Sequence, residues 1–403
     1  LSAASCLPHP APALGQTVLV RGDRAAAHRG GAQRLLLLAV ILEHVYACRR
    51  HTQRRVPVAP PHIWRHSIAI AVPANLVALR DVDLLRRSGH NRGGFGDREG
   101  YPEVATKGPL VTARVGFVGL GAMGEPMARS LRRAGFEVTA CVHWRREALE
   151  RLRADGVAEA EDPASLAAVS EVVVLCVPDA PQVEEVLFGP RGIESGATRG
   201  LLVIDMSTIS PVATRRFAQR LAEREVEFVD APVSGGPVRA ADGTLTIMVG
   251  ASRAAFERAQ PVLRAMGVPH HLGPVGMGET VKLVNQIIIA NVMIANIEGL
   301  VFAREAGADL GEVCAVLASA TASNYVLEKW LPRTWLAGTF EGGFALDLLR
   351  KDLAAALDAA RVANLPMPAT GLAYQLYTSR CAKGDGALDY SAIAKAYDSN
   401  SGA

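Results

Sequence analysis

The stretch that most constrains this chain is TARVGFVGLGAMGEPMARSLRRAGFEVTACV, residues 112–142. The apolar run at 112–120 predicts a buried strand. It passes directly into Gly119-Leu120-Gly121-Ala122-Met123-Gly124, a G-x-G-x-x-G turn. Over 125–135, Met127, Leu131 and Ala134 fall on one helical face and Gly135 marks the stop. Residues 136–142 predict a second strand. Strand, glycine turn, helix, strand is the context that a dinucleotide phosphate site requires. Gly119 permits the tight turn, Gly121 lets the backbone approach a pyrophosphate, and Gly124 lets the helix pack close to the strand. The helix then aims its free N–H groups at the phosphates.

The end of the second strand bears on the choice of dinucleotide. An acid there would hydrogen-bond a ribose 2′-hydroxyl and repel a 2′-phosphate. The chain reads Val142-His143-Trp144-Arg145-Arg146, with no acid before Glu147. Two guanidiniums without an acid favour NADP over NAD, with Arg145 as the candidate contact.

The α/β alternation continues. Strands are expected at 171–179, 200–208 and 226–236, a helix at 210–223, and an antiparallel addition at 243–251. A cofactor lying across the carboxyl ends of parallel strands would meet Val177-Pro178, Ser207-Thr208 and the 232–236 turn. From 276 the chain reads as helical to about 398, interrupted at 365–371. The first of these helices, GMGETVKLVNQIIIANVMIANIEGLVFAREAG (276–307), has no proline and is apolar nearly all round. Such a helix must be buried in a bundle or a subunit interface. Lys282 and Asn285 stand three residues apart on it, hence on one face.

The stretch before residue 111 has a different character. Residues 1–110 hold 15 Lys+Arg against 7 Asp+Glu, whereas the remainder holds 28 against 33. Seven of the ten histidines also fall in the first part. Its basic residues follow no motif or helical spacing, so neither nucleic acid nor membrane is expected as a partner. The expectation is that 1–110 lies outside the fold as sequence upstream of a start at Val111; a disordered or targeting extension is the alternative. An α/β domain is expected over 111–275 and an all-helical domain over 276–403, with a linking helix at about 276–305. No run reaches the roughly 20 apolar residues of a membrane span, the nearest being LLLLAVIL at 35–42. The six cysteines show no C-x-x-C pair and no metal-ligand spacing, which points to a reduced, cytoplasmic protein without a metal.

Four ordered blocks carry a resemblance. GFVGLGAMGEPMA (116–128), DAPVSGG (230–236), GMGETVKLVNQ (276–286) and FALDLLRKDL (344–353) resemble the motifs of the β-hydroxyacid dehydrogenases, relatives of 3-hydroxyisobutyrate dehydrogenase and tartronate semialdehyde reductase. VIDMSTISP (203–211) resembles that family's segment beside the nicotinamide. The resemblance spans 113 to about 398. It implies a Rossmann domain, a long helix and an all-α C-terminal domain, with NAD or NADP as cofactor and a small carboxylate-bearing substrate.

By the same resemblance, Lys282 would be the general acid or base and Asn285 would orient the substrate. Ser234, Gly235 and Gly236 would receive its carboxylate. Lys351 would hold that carboxylate or close over the cofactor, and Thr208 would contact the nicotinamide side. A homodimer or homotetramer is expected from the apolar helix.

The blocks do not separate tartronate semialdehyde from glyoxylate, succinic semialdehyde or methylmalonate semialdehyde. 6-Phosphogluconate dehydrogenases are similar but read K-x-x-H-N where this chain reads Lys282-Leu-Val-Asn285-Gln286. Imine reductases of similar fold usually replace the lysine. Non-catalytic oligomeric scaffolds of this fold tend to lose it.

Overall fold

In the computed structural model, described for residues 113–141 and 146–397, the first strand is β1 (Arg114–Val118), buried at every position after Arg114. Helix α1 (Gly124–Arg133) buries Met127, Ala128 and Leu131 and carries Arg132 and Arg133 at its end, where they complement the helix dipole. After β2 (Glu137–Cys141) come α2 (Arg146–Arg153), β3 (Ala158–Glu159) and α3 (Pro163–Val169). Asp162 and Ser165 form a reciprocal capping box at the start of α3, with Pro163 at its first position. β4 (Val172–Leu175), α4 (Ala180–Phe188), α5 (Ile193–Gly196), β5 (Leu202–Asp205), α6 (Pro211–Ala222) and β6 (Glu227–Asp230) complete the parallel part.

The strand order is β3-β2-β1-β4-β5-β6, all parallel. β4 and β5 are buried along their whole lengths, as a parallel sheet covered on both faces requires. The order reverses between β1 and β4, and the crevice at their carboxyl ends is where such sheets bind ligands. Helices cover both faces over separate cores, one around Phe117, Leu131 and Ile204, the other around Leu175, Leu187 and Phe217.

The expected strand at 226–236 is divided. Pro232 follows β6 without an amide hydrogen, and the chain re-enters the sheet as β7 (Val233–Ser234). After α7 (Gly236–Asp242), β8 (Leu245–Gly250) runs antiparallel to both β6 and β7, as the sequence pattern predicts. α8 (Arg253–Arg264) leads to β9 (Gly267–Gly273), which pairs parallel with β8.

α9 (Met277–Glu305) follows, about 43 Å long at the standard rise. With α10 (Leu310–Ser319), α11 (Leu346–Val362) and α12 (Pro368–Arg380) it frames a third core around Met293, Ile297, Leu349, Leu353 and Tyr377. α12 begins at Pro368, so the interruption expected at 365–371 is shorter; proline fits the first helical turn, where no amide donor is needed. The whole is a Rossmann-type α/β sheet followed by a helical C-terminal part.

α9 also corrects the expectation about membrane spans. It is long and apolar enough to cross a bilayer by length and composition. Lys282, Glu279 and Gln286 lie buried in its first turns against the sheet and α11, which ties that end of the helix into the core. Only 28% of its most apolar stretch is buried within the chain, so its burial is less complete than the sequence implies. Val284, Ile288 and Phe302 stand exposed along it.

Candidate active site

The glycine turn fits a pyrophosphate by three separate measures. Gly119 has φ +98°, and a Cβ there would lie 2.1 Å from the Cys176 carbonyl oxygen, across the switch point. A Cβ on Gly124 would lie 1.8 Å from the Gly119 carbonyl oxygen, so only glycine lets α1 start this close to β1. A Cβ on Gly121 would meet nothing within 4 Å. Gly121 is therefore spared for what approaches from outside. Met123, at the cap of α1, supplies no side-chain hydrogen bond, which leaves the first-turn amides for an anion. Leu120 anchors the turn in the core, Met123 packs against that core, and Ala122 is exposed.

Beyond the turn, the other expected cofactor positions come together. The Val177 N–H donates to Ser207 Oγ at 3.0 Å, and the Ser207 N–H donates to Asp205 Oδ1 at 2.9 Å. These bonds tie the loops after β4 and β5 into one rim, with Pro178 exposed on it. Thr208, next on that rim, offers its carbonyl to Lys351 Nζ. Arg145 lies outside the described residues. Its neighbour Arg146 pairs with Glu159 at 3.0 Å on an exposed surface. Burial pushes the thiol of Cys176, beside the rim, up to about 12.

The turn expected to receive the substrate is built by β7 and α7. Ser234 pairs across to Thr246, and Gly235 and Gly236 follow with φ +139° and +70°. Neither angle suits a residue with a side chain. The chain then enters α7 with its first amides uncapped by any side chain.

The start of α9 is fixed by Asp230 at the end of β6. Its Oδ1 accepts from the Gly276 N–H at 2.7 Å and its Oδ2 from the Glu279 N–H at 2.9 Å. This is helix capping from a distant strand. A Cβ on Gly278 would lie 2.3 Å from the Met248 carbonyl oxygen, so that glycine lets the helix seat on β8. β7, which carries Ser234, pairs with β8 on the same sheet edge.

Lys282 emerges one turn further along, 7% exposed. Burial lowers its pKa; Asp352 and then Glu279 act to raise it, and Lys351 opposes them. Asn285 Nδ2 donates to Gln286 Oε1 at 2.8 Å, and Gln286 Nε2 donates to Asp352 Oδ2 at 2.6 Å. Asp352 Oδ1 pairs with Lys351 Nζ at 2.8 Å. A continuous chain thus runs from Asn285 through Gln286, Asp352 and Lys351 to Thr208. It joins the lysine-bearing helix to the rim.

The sequence motifs assign no role to Asp205, Glu279, Gln286 or Asp352. Two signals for them exist in the sequence. The apolar strand runs LVID and EFVD each end in aspartate, and Asp352 directly follows Lys351. Burial lifts both strand-end aspartates to about 6, against the hydrogen bonds each accepts.

Comparison with known proteins agrees with this geometry. Residues 114–278 match the NAD binding domain of 6-phosphogluconate dehydrogenase, and residues 276–397 match the NAD-binding domain of NADP-dependent 3-hydroxyisobutyrate dehydrogenase. The chain is 38% identical to 2-(hydroxymethyl)glutarate dehydrogenase of Eubacterium barkeri, over 72% of this chain and 96% of that protein. It is 40% identical to 2-hydroxy-3-oxopropionate reductase of Escherichia coli K12, over 71% and 97% respectively. Among solved structures, 3-hydroxyisobutyrate dehydrogenase of Mycobacterium tuberculosis with L-serine superposes with a TM-score of 0.67 at 29% identity, covering 72% of this chain and all of that one. On the glycine cradle, the buried lysine of α9 and relatives matched over nearly their full lengths, the chain belongs to the β-hydroxyacid dehydrogenases, a family of NAD(P)-dependent oxidoreductases.

Proposed function

We propose that the protein interconverts a small 3-hydroxy acid and the corresponding semialdehyde, with Lys282 moving the proton. The observation that carries this reading is the buried Lys282, seated one turn above the strand-end Asp230, with the charges of Asp352 and Glu279 acting on its ammonium. A lysine whose pKa is depressed by burial gives up its proton more readily than a surface lysine. When bound, the nicotinamide supplies or accepts the hydride. In reduction, Lys282 would donate a proton to the carbonyl oxygen and stabilise the charge building on it; in oxidation it would remove the hydroxyl proton.

Ser234, Gly235 and Gly236 would hold the substrate carboxylate through a hydroxyl and backbone donors, and Asn285 would orient the substrate's polar groups. Lys351 would act from the rim through Thr208, beside the cofactor rather than as a free carboxylate ligand, because its ammonium already engages the Thr208 carbonyl and Asp352. The Gly119–Gly124 turn would bind the pyrophosphate, with Val177, Pro178, Ser207 and Thr208 around the nicotinamide. The missing acid after β2 supports NADP over NAD.

We divide the chain into an α/β domain to 275 and a helical domain from 276, a reading that the start of α9 at Met277 supports. The relatives' substrates, 2-(hydroxymethyl)glutarate and 2-hydroxy-3-oxopropionate by their names, suggest short, oxygen-rich acids. We place the enzyme in the cytoplasm; the four described cysteines are unpaired.

A homodimer or larger homo-oligomer would cover the apolar residues that α9 leaves exposed. α10 buries none of its residues within the chain, although it is mostly apolar, and it extends the same need. The test of function is loss of reduced nicotinamide, with NADPH and NADH separately, against tartronate semialdehyde, methylmalonate semialdehyde, succinic semialdehyde and glyoxylate. Turnover with one of these supports the reading and assigns the coenzyme. No turnover by folded, cofactor-binding protein would overturn this substrate class.

A further inference from the structure

Four carboxyl groups and two lysines meet where the carboxyl ends of β5 and β6 abut α9 and α11. Asp205, Asp230 and Glu279 are 0% exposed, Asp352 1% and Lys282 7%; Lys351 is largely buried. Asp205 and Asp230 are register partners on neighbouring parallel strands, so their side chains leave the sheet on the same face. Glu279 is bonded through its own N–H to Asp230. Fully ionised, these six groups would hold four negative charges against two positive ones, out of water. Such a state is costly, and adjacent carboxyls relieve it by retaining protons.

Hydrogen bonding decides which carboxyl is least able to carry charge. Asp230 accepts two backbone N–H bonds, Asp352 accepts from Gln286 and is ion-paired with Lys351, and Asp205 accepts the Ser207 N–H. Glu279 completes no well-aligned bond at either oxygen among the described residues, and Asp205 Oδ2 is likewise buried and unpaired. The Ile209 backbone N–H acts on the Glu279 carboxyl without completing a hydrogen bond. Asp352 Oδ1, ion-paired with Lys351, also lacks a hydrogen bond, so a proton on Glu279 turns one of four such acceptors into a donor. Burial first, then Asp205 and Asp230, push its pKa well up; the Ile209 N–H and Lys351 pull the other way.

We infer that Glu279 is a positioning residue that works as a neutral carboxylic acid, holding the Ser207–Ile209 rim against α9 and sparing Lys282 a further negative neighbour. The inference rests on Lys282 as the proton donor for its consequence in catalysis, though not for the protonation itself. The charged groups around Glu279 are Asp205 from β5, Asp230 from β6, Lys351 and Asp352 from α11, and Lys282 on its own helix. Removing its proton adds a charge that Asp205 and Asp230 repel and makes Lys282 a weaker acid. The folded state holds a proton there that the unfolded chain releases near the ordinary carboxylate pKa. Stability therefore falls as pH rises above that value.

The test compares full-length wild type, Glu279→Gln and Glu279→Leu by melting temperature from pH 5 to 9, by NADPH affinity from fluorescence, and by the pH profile of turnover. Glutamine keeps a neutral donor; leucine does not. The expected result is a melting temperature for Glu279→Gln that gains on wild type steadily as pH rises. Its turnover should stay within about threefold at pH 6 and extend to higher pH, whereas Glu279→Leu should bind NADPH about tenfold more weakly.

A melting difference flat in pH would overturn the inference. So would Glu279→Gln as impaired as Glu279→Leu, or Glu279→Leu indistinguishable from Glu279→Gln. The melting series needs no substrate. It therefore decides the protonation of Glu279 even if the proposed reaction fails.

Discussion

Gly121 and Gly124, three residues apart in one turn, have different physical roles. Gly124 sits where any Cβ would strike the Gly119 carbonyl oxygen, so Gly124→Ala must push α1 off β1. That should cost on the order of 2 kcal/mol or more in unfolding free energy, seen as a lower denaturant midpoint. Gly121 faces open space. Gly121→Ala should leave the midpoint unchanged and weaken NADPH binding by about tenfold or more, measured by fluorescence titration, because the methyl group occupies the approach of the phosphates. The reverse pattern would show that the turn packs against something other than a dinucleotide. Motif spacing made both glycines legible in the sequence. It did not reveal Glu279, whose burial depends on where α9 lands relative to two strands that precede it by dozens of residues.

The junction of α9 with the sheet depends on Asp230, which caps the helix through two backbone N–H groups. Asp230→Ala leaves those donors buried without an acceptor and should destabilise the protein by about 2 kcal/mol in denaturant unfolding. Asp205 makes the junction sensitive to pH. Its pKa is raised from 3.8 to about 6 in the folded protein, chiefly by burial. Between those values the folded state keeps a proton that the unfolded chain has lost, so stability declines as pH rises through that window. Asp205→Asn removes that dependence. Its melting temperature should gain on wild type between about pH 4 and pH 6 and run parallel above. The parallel strands were legible because β4 and β5 are unbroken apolar runs. β9 was not, since Pro269, His270 and His271 break the apolar pattern and the strand is held by pairing with β8. The division of β6 from β7 depends on Pro232, which the apolar pattern alone passes over.

For the whole molecule, the surface that most needs a cover is the outer side of the helical part. Phe302 is 78% exposed and Ile288 54% exposed on α9, and Val316 on α10 is exposed as well. Burying such side chains is worth roughly 1.5–3 kcal/mol each, which favours a second copy over water. The homo-oligomer proposed above predicts that Phe302→Glu together with Ile288→Glu sediments as a monomer where wild type does not, while the α/β sheet stays folded; a monomeric wild type would contradict that proposal. An unchanged oligomer would place the subunit contact elsewhere. The apolar composition of 276–307 made the need for a cover legible, but not which face remained open, because that depends on how α11 and α12 close over the opposite side.

Proton transfer by Lys282 is the step on which the proposed hydride-transfer reaction stands. It is tested by NADPH binding and steady-state reduction of an accepted semialdehyde, with wild type and Lys282→Ala side by side. Cofactor affinity should stay within about threefold of wild type while turnover falls by about 10²-fold or more. Turnover near the wild-type rate in Lys282→Ala would contradict the assignment of the proton to this lysine.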